Sequence, residues 1–149
     1  MIIRDTSSLI VDGVSNEDVY TDGVLIEVRC YPELLKEIYS RLACGYVEIL
    51  TIPENTETAL IRQTILSLSA KYKIKPSAVD IEVSVAGIIR NLPVASYDRD
   101  INWIMFHYYV LFNQRDIDKI RYYGAAVLND NRKTGEEINL LKRFDIYRV

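Results

Sequence analysis

The order of apolar and polar positions predicts a chain that begins with a strand. Residues 1–13 open on an apolar run and are expected to form a first strand and its exit loop. A polar connection follows at 15–18, and residues 24–29 fit a strand and a helix equally well. Residues 47–53 form a second apolar run of strand length. Two strands are therefore expected in the first third of the chain.

Helical spacing of apolar residues surrounds the second strand. Pro32 stands at a first-turn position, and the amphipathic helix after it is expected to end at Gly45. Asn55 or Thr56 can cap another helix, whose apolar residues lie at 60–68. Strands that alternate with helices indicate a βαβ order and a parallel sheet.

Residues 79–85 carry two conflicting patterns. Apolar and polar residues alternate throughout, which alone predicts a half-exposed strand. Ser77 and Asp80, however, have the spacing of a capping box, which predicts the start of a helix. We predict a helix over 78–90, because such a helix leads directly into a strand at 92–96.

The last third of the chain is predicted to be mainly helical. A short helix at 102–107 is expected before a last strand near 110–112. Two further helices are predicted at 117–128 and 134–144, each with one apolar side, separated by the polar residues 129–132. Such helices are expected to cover the core or a second subunit.

Composition agrees with one folded α/β chain. The 149 residues are 49% hydrophobic, which excludes a disordered or fibrous protein. We assign residues 1–113 to the α/β domain and 114–149 to a helical extension. No apolar run approaches the roughly 20 residues of a membrane span, and the start lacks the pattern of a signal peptide, so we expect a cytoplasmic protein. Cys30 and Cys44 lack metal-ligand spacing and are expected to be reduced and buried.

Charge is unevenly distributed. The net charge is only -3, which argues against a nucleic-acid binder with a uniformly basic surface. Residues 1–60 carry 4 basic and 11 acidic side chains, whereas residues 61–149 carry 14 basic and 10 acidic ones. The second part can therefore supply phosphate contacts around an acidic centre.

Five acids fall at places where an α/β chain could gather them at one end of a parallel sheet. They are Asp5, Glu27, Asp80, Asp98 and Asp100. Open α/β sheets bind ligands beyond the carboxyl ends of their strands, so the acids are candidates for one site. Carboxylates suit Mg²⁺ or Mn²⁺, which indicates a metal-dependent nuclease. Alternatively, these are ordinary acids of strand-end turns and of a helix start.

Four segments resemble, in order, the motifs of PIN-domain ribonucleases. Residues 3–10 are similar to the opening D-T-S-x-L-I, and residues 20–29 resemble the segment that carries the second acid on an early helix. Residues 77–83 resemble the S-x-x-D-I-x-V stretch of the third acid, and residues 96–101 resemble the closing T-x-D-x-D-F. The resemblance implies a three-layer α/β/α sandwich with a central parallel sheet.

Within this family, the chain most resembles the archaeal Nob-type nucleases that mature ribosomal RNA, with the VapC-type toxins next. Two features depart from the Nob-type pattern. The extension at 114–149 lacks cysteine and stands where those proteins carry a zinc ribbon, and Tyr97 stands where many have an extra acid.

The chemistry expected for such a site assigns a role to each candidate residue. Asp5, Asp80 and Asp98 are expected to bind Mg²⁺ or Mn²⁺, with Glu27 and Asp100 acting directly or through water. Two hydroxyls, of Ser7 and Ser96, are expected to orient carboxylates or a phosphate. The basic candidates for RNA contact are Arg99, Arg121, Arg132 and Lys133, and the last three are expected to be free of contacts within the protein.

The resemblance implies an endoribonuclease, a hydrolase whose products would carry a 5′-phosphate and a 3′-hydroxyl. The expected partners are RNA, a ribosomal precursor or an antitoxin, and a second copy in a homodimer. The alternatives are a toxin of a toxin–antitoxin pair and a catalytically weak fold that serves as an RNA-binding or assembly module.

Aromatic residues cluster in the second half of the chain. They can stack on single-stranded bases, but at this spacing they are more often core residues. The cluster comprises Trp103, Phe106, Tyr108, Tyr109, Phe112, Tyr122 and Tyr123. His107 has no second histidine near it in the sequence and is expected to be a packed or surface residue rather than a catalytic one.

Overall fold

A four-stranded parallel sheet forms the centre of the protein. The computed structural model describes residues 1–147. Its strands are β1 (Ile2–Arg4), β2 (Asp18–Thr21), β3 (Glu48–Leu50) and β4 (Val94–Ala95). They lie in the order β3-β2-β1-β4, and every adjacent pair is parallel. The predicted α/β class is confirmed.

Eight helices connect and follow the strands within residues 1–147. They are α1 (Thr6–Asp12), α2 (Asp22–Val28), α3 (Pro32–Ala43), α4 (Thr56–Lys71), α5 (Ala78–Arg90), α6 (Arg99–Phe112), α7 (Ile117–Val127) and α8 (Gly135–Arg143). This arrangement is consistent with a three-layer α/β/α fold, because parallel strands need crossover connections that cover the sheet.

Local capping explains where three of the helices begin. Asn55 caps α4, Ser77 caps α5 and Thr134 caps α8, each in a reciprocal capping box with the third helical residue. Such a cap contributes about 1 kcal/mol to stability. The capping prediction for α5 is therefore confirmed over the strand-like alternation, which arises because burial of this helix extends beyond a single narrow stripe.

Near the amino terminus, one prediction is wrong and another is right for residues 15–17 but misses a strand. The expected exit loop after β1 contains α1, which Asp5 caps by accepting a hydrogen bond from the Ser8 amide. The expected connection at 15–18 ends in β2, whose four residues are all buried. Asp18 begins this strand because its carboxylate pairs there with Arg4 at 3.1 Å. The ambiguous stretch at 24–29 lies largely in α2.

The predicted break inside α6 is also wrong. Residues 102–107 and 110–112 belong to one continuous helix rather than to a short helix and a strand. The helix continues through residues 110–112 because α6 packs against α4, α5 and α7 along its length, although only Val110 of this stretch is buried.

The extension packs on the α/β core. Ile120, Tyr123 and Val127 of α7 are buried in the same hydrophobic cluster as the strands. The Tyr123 hydroxyl accepts a hydrogen bond of 2.8 Å from the Val94 amide in β4. A side chain at Gly124 would collide with Ile146 Cδ1, so glycine permits this close packing. The prediction that the helices cover the core is confirmed.

Two smaller observations complete the fold. Among residues 1–147, none of the helices combines the length and the apolar character needed to span a bilayer. Cys30 and Cys44 are free thiols, but both are exposed, so their expected burial is wrong. Cys44 is the cap at the carboxyl end of α3, where the chain turns toward solvent.

Candidate functional site

The candidate site lies where the strand order reverses. From β1 the chain proceeds outward to β2 and β3 and then returns to β4 on the other side of β1. Asp5 follows β1 directly, and Ser96 follows β4 directly. Ligands of open α/β sheets bind at such a topological switch point, beyond the carboxyl ends of the strands.

Asp5 is held by hydroxyl and amide donors. It is 6% exposed and accepts hydrogen bonds from the Ser8 amide at 2.9 Å and from Ser7 Oγ at 2.8 Å. The Ser96 hydroxyl donates to its other oxygen across 91 positions of sequence. Ser7 Oγ also accepts a hydrogen bond from the Tyr97 amide. The segments that follow β1 and β4 are therefore hydrogen-bonded to each other around the Asp5 carboxylate.

The buried neighbour of Asp5, Arg4, fixes the start of α1. Arg4 pairs with Asp18 in β2 and donates to the Ser8 hydroxyl and carbonyl, both at 2.9 Å. Because the next residue is Asp5, these contacts also fix the direction in which its carboxylate leaves the strand.

Asp80 lies in the first turn of α5. Its Oδ2 atom accepts from the Ser77 amide at 2.9 Å in the capping box. Burial raises the pKa of Asp80, and the charges of Asp98 and Asp5 raise it further, against the lowering effect of the Ser77 bonds. The capping role and the proximity to other acids therefore coexist in one side chain.

Asp98 caps α6 from the β4 side. Its Oδ1 atom accepts from the Asp100 amide at 2.8 Å. Burial raises the pKa of Asp98, the charges of Asp100 and Asp5 add to that effect, and hydrogen bonds from the Asp100 and Ile101 amides oppose it. We call Asp5, Asp80 and Asp98 the acidic edge. Within residues 1–147 none of the three forms an ion pair with a basic side chain.

Glu27 reaches this region through a hydroxyl. It is exposed on α2, and its Oε1 atom accepts a hydrogen bond of 2.7 Å from Thr6 Oγ1. Thr6 directly follows Asp5, so it links two of the candidate acids. The sequence motif contains Thr6, but its bridging role becomes visible only when α1 and α2 are packed together.

Asp100 differs from the acidic edge because it has a basic partner. Arg132 Nη2 lies 3.1 Å from Asp100 Oδ1 and 3.0 Å from Asp130 Oδ2. The side chain of Arg132 remains 60% exposed. The expectation that Arg132 is free is wrong, since the turn at 130–132 folds it onto both carboxylates.

The other basic candidates also have intramolecular contacts. Arg121 donates to the Phe144 carbonyl at 3.2 Å, and Lys133 donates to the Asp130 carbonyl at 3.1 Å, so the expectation that both are free is wrong. Arg99 lies 3.6 Å from Asp130. These cations stabilise the extension and the turn that precedes α8.

His107 is packed in the interior, which was one of the two expected locations, the other being the surface. It is buried, and its Nε2 lies 2.8 Å from Glu137 Oε2 of α8. Its ring is parallel to that of Tyr72, with a centroid separation of 3.6 Å, and it stacks on Trp103 at 5.5 Å. Most of the aromatic cluster is core, namely Trp103, Phe106, Tyr109 and Tyr123.

The donor set can be compared with the needs of a metal ion. Among residues 1–147, no three His, Cys, Asp or Glu side chains are arranged as a ready-made metal cage. The acidic edge supplies only carboxylates, which suit a hydrated Mg²⁺ or Mn²⁺ that keeps several waters and uses one or two protein ligands. The donors therefore fit a hydrated ion and not a fully protein-coordinated one.

No protein-family model, no curated protein and no solved structure matches the chain.

Proposed function

We propose that the protein is a PIN-like, metal-dependent endoribonuclease that hydrolyses phosphodiester bonds in RNA. One observation carries the proposal. Asp5 stands at the switch point of the parallel sheet, and its charge contributes to raising the pKa of both Asp80 and Asp98, although among residues 1–147 the three form no ready-made metal-binding group. Partly buried acids with raised pKa values, here Asp80 and Asp98, are typical of functional sites.

The absence of a basic partner supports a role for an external cation. Like charges that are partly removed from water disfavour one another, and a divalent cation would relieve that repulsion. Asp5, Asp80 and Asp98 would hold Mg²⁺ or Mn²⁺, with Glu27 acting through water. When bound, such an ion polarises the phosphoryl group and lowers the pKa of an attacking water.

The side chains around the acids set their orientation. Ser7 and Ser96 donate to opposite oxygens of Asp5, which leaves the carboxylate little freedom to rotate. Thr6 holds Glu27 in the same region. Pre-oriented ligands reduce the reorganisation needed when substrate binds, which is how positioning contributes to the rate of a phosphoryl transfer.

The test is cleavage of an end-labelled RNA by the full chain with Mn²⁺, with Mg²⁺ and with EDTA. We expect metal-dependent cleavage and a decrease on the order of 10³-fold in Asp5→Asn, the scale of losing several kcal/mol of transition-state stabilisation. Asn keeps an oxygen acceptor for the Ser8 amide, so the cap is retained. The matched control is Asp118→Asn, an exposed acid of α7. Equal cleavage by Asp5→Asn and wild type rejects the proposal.

A second candidate is an RNA-binding module without catalysis. It is favoured by the Asp100–Arg132 ion pair, which occupies one candidate acid, and by the lack of a ready-made cage among residues 1–147. RNA binding without cleavage in any of the three metal conditions would select this candidate over the nuclease.

A further inference from the structure

A cavity lies between the end of α4 and the turn before α8. Its volume is about 420 Å³, within the range of about 300–1,000 Å³ typical of ligand pockets. Tyr72, Ile74 and Trp103 supply the aromatic and apolar wall. The charged lining is mixed, with positive Lys71, Lys73 and Arg132 and negative Glu136 and Glu137. We call this cavity the extension pocket, because α8 and the preceding turn complete it.

The two lysines of the extension pocket belong to the end of α4. Lys71 Nζ lies 5.3 Å from the centre of the Tyr72 ring, and both lysines are exposed. Lys73 has φ of 56°, and the Ile74 amide donates back to the Ser69 carbonyl at 2.8 Å. This is a helix end where glycine is usual. The sequence instead places a long cationic side chain there, at the mouth of the cavity.

The back of the extension pocket is rigid. Tyr72 is stacked on the buried His107, which is bonded to Glu137. The indole of Trp103 donates to the buried Asp130 at 2.8 Å. These partners fix the aromatic rings before any ligand arrives, so little side-chain ordering opposes binding.

Arg132 joins the extension pocket to the site already described. It lines the cavity and also contacts Asp100, which lies two positions after Asp98. Arg132 is therefore the contact through which the extension pocket meets the first turn of α6, which Asp98 caps.

We propose that the extension pocket holds one nucleotide of the RNA strand that is cut at the acidic edge. A planar base fits the aromatic and apolar wall, and a backbone phosphate fits the lysines at the mouth. Single-stranded RNA is recognised by this combination of cationic rim and aromatic surface. The proposal rests on the proposed function for the identity of the strand, while binding in the pocket is independent of cleavage.

Trp103 makes the test direct, because it is the chain's one tryptophan and lines the pocket. A ten-nucleotide single-stranded RNA is titrated into the full chain in EDTA, following both RNA anisotropy and Trp103 emission. We expect a saturable change of emission at the same midpoint as the anisotropy. Uridine monophosphate is expected to change the emission as well, and inorganic phosphate alone is not.

The variant test compares two double variants, each of which loses two positive charges. Lys71→Gln/Lys73→Gln removes the lysines of the extension pocket, and Lys36→Gln/Lys142→Gln removes exposed lysines of α3 and α8. Each phosphate contact on a single strand changes log K by about 0.7 per tenfold change in salt. We therefore expect the pocket variant to bind RNA about 25-fold more weakly at 0.1 M salt. Its slope of log K against log salt concentration is expected to be shallower by about 1.4. The control is expected to lose less than about threefold.

Failure of this proposal differs from failure of the nuclease proposal. RNA that binds without changing Trp103 emission, RNA that does not bind, or equal losses in the two double variants would each overturn the pocket. If these binding results hold but Mn²⁺ produces no cleavage, the nuclease proposal fails and the pocket stands. If Mn²⁺ produces cleavage but RNA does not change Trp103 emission, the pocket proposal fails and the nuclease proposal stands.

Discussion

Carboxylates shielded from water occur both at the acidic edge and in the extension, and their pKa values shift in opposite directions. At the edge, burial and neighbouring acids raise the pKa of Asp80 and Asp98. In the extension, burial also opposes the ionisation of Asp130 and Glu137. There, however, hydrogen bonds, chiefly from Arg132 to Asp130 and from His107 to Glu137, lower both pKa values.

The difference lies in the partners and not in the depth of burial. Asp130 and Glu137 have protein donors that stabilise their charge, so they hold the extension onto α6. The acids of the edge accept hydrogen bonds, but among residues 1–147 they have no basic partner. A carboxylate without a counter-ion in the protein is suited to bind a cation from solution.

The strongest way to break this comparison is to remove a partnered carboxylate. Glu137→Ala is expected to lower the free energy of unfolding by up to about 3 kcal/mol, because it leaves a ring nitrogen of the buried His107 without its hydrogen-bond partner. Urea unfolding measures the change. Glu136→Ala is the matched control, since Glu136 is the exposed neighbour in the same first turn. Equal effects of the two substitutions would show that the buried pair contributes nothing specific.

Adding a divalent ion tests the carboxylates of the acidic edge, which lack a basic partner among residues 1–147. Mn²⁺ at a hundred times its dissociation constant is expected to raise the free energy of unfolding by about 2.7 kcal/mol, through binding to the folded state alone. Thermal unfolding with and without Mn²⁺ measures this, and Asp5→Asn is expected to remove most of the gain. An unchanged melting temperature at millimolar Mn²⁺ would contradict a metal role for the acidic edge.

The pH dependence of Asp130 sharpens the comparison. Because its pKa is lowered on folding, its carboxylate adds stability above the unfolded value of about 3.9, and this stability is lost as the pH falls further. Asp130→Asn is expected to cost about 2 kcal/mol at pH 7, the scale of a hydrogen bond to a charged group. The deficit should shrink below pH 4 in urea unfolding. A deficit independent of pH would assign the loss to packing.

The smallest expected effect is an increase in the free energy of unfolding on removal of an acid of the edge. The pKa of Asp98 is raised on folding, so its charge destabilises the metal-free protein above that pKa, and the penalty vanishes at low pH. Asp98→Asn keeps an N-cap acceptor and is expected to gain up to about 1 kcal/mol at pH 7 and nothing at pH 3. Glu54→Gln, at an exposed loop position, is the control, with no expected gain. A destabilised Asp98→Asn protein would show that the edge acids are structural.

Local signals account for the predictions that are confirmed. Ser77 and Asp80 lie three positions apart, and their mutual hydrogen bonds begin α5 whatever surrounds it. Apolar spacing likewise predicted α7 and α8 within a few residues of their observed ends. The placement of Asp5 and Ser96 after strands follows from the same kind of pattern, because apolar runs of strand length end just before them.

By itself, the sequence determined the α/β class, most helix starts and the acids that follow the strands, since these depend on groups within about four residues of one another. Tertiary structure alone decided that α6 is continuous, that Arg132 pairs with Asp100 and that Glu137 pairs with His107. The His107–Glu137 contact joins residues 30 positions apart. No local pattern encodes such a contact, because it forms only when packing of the extension excludes water from both side chains.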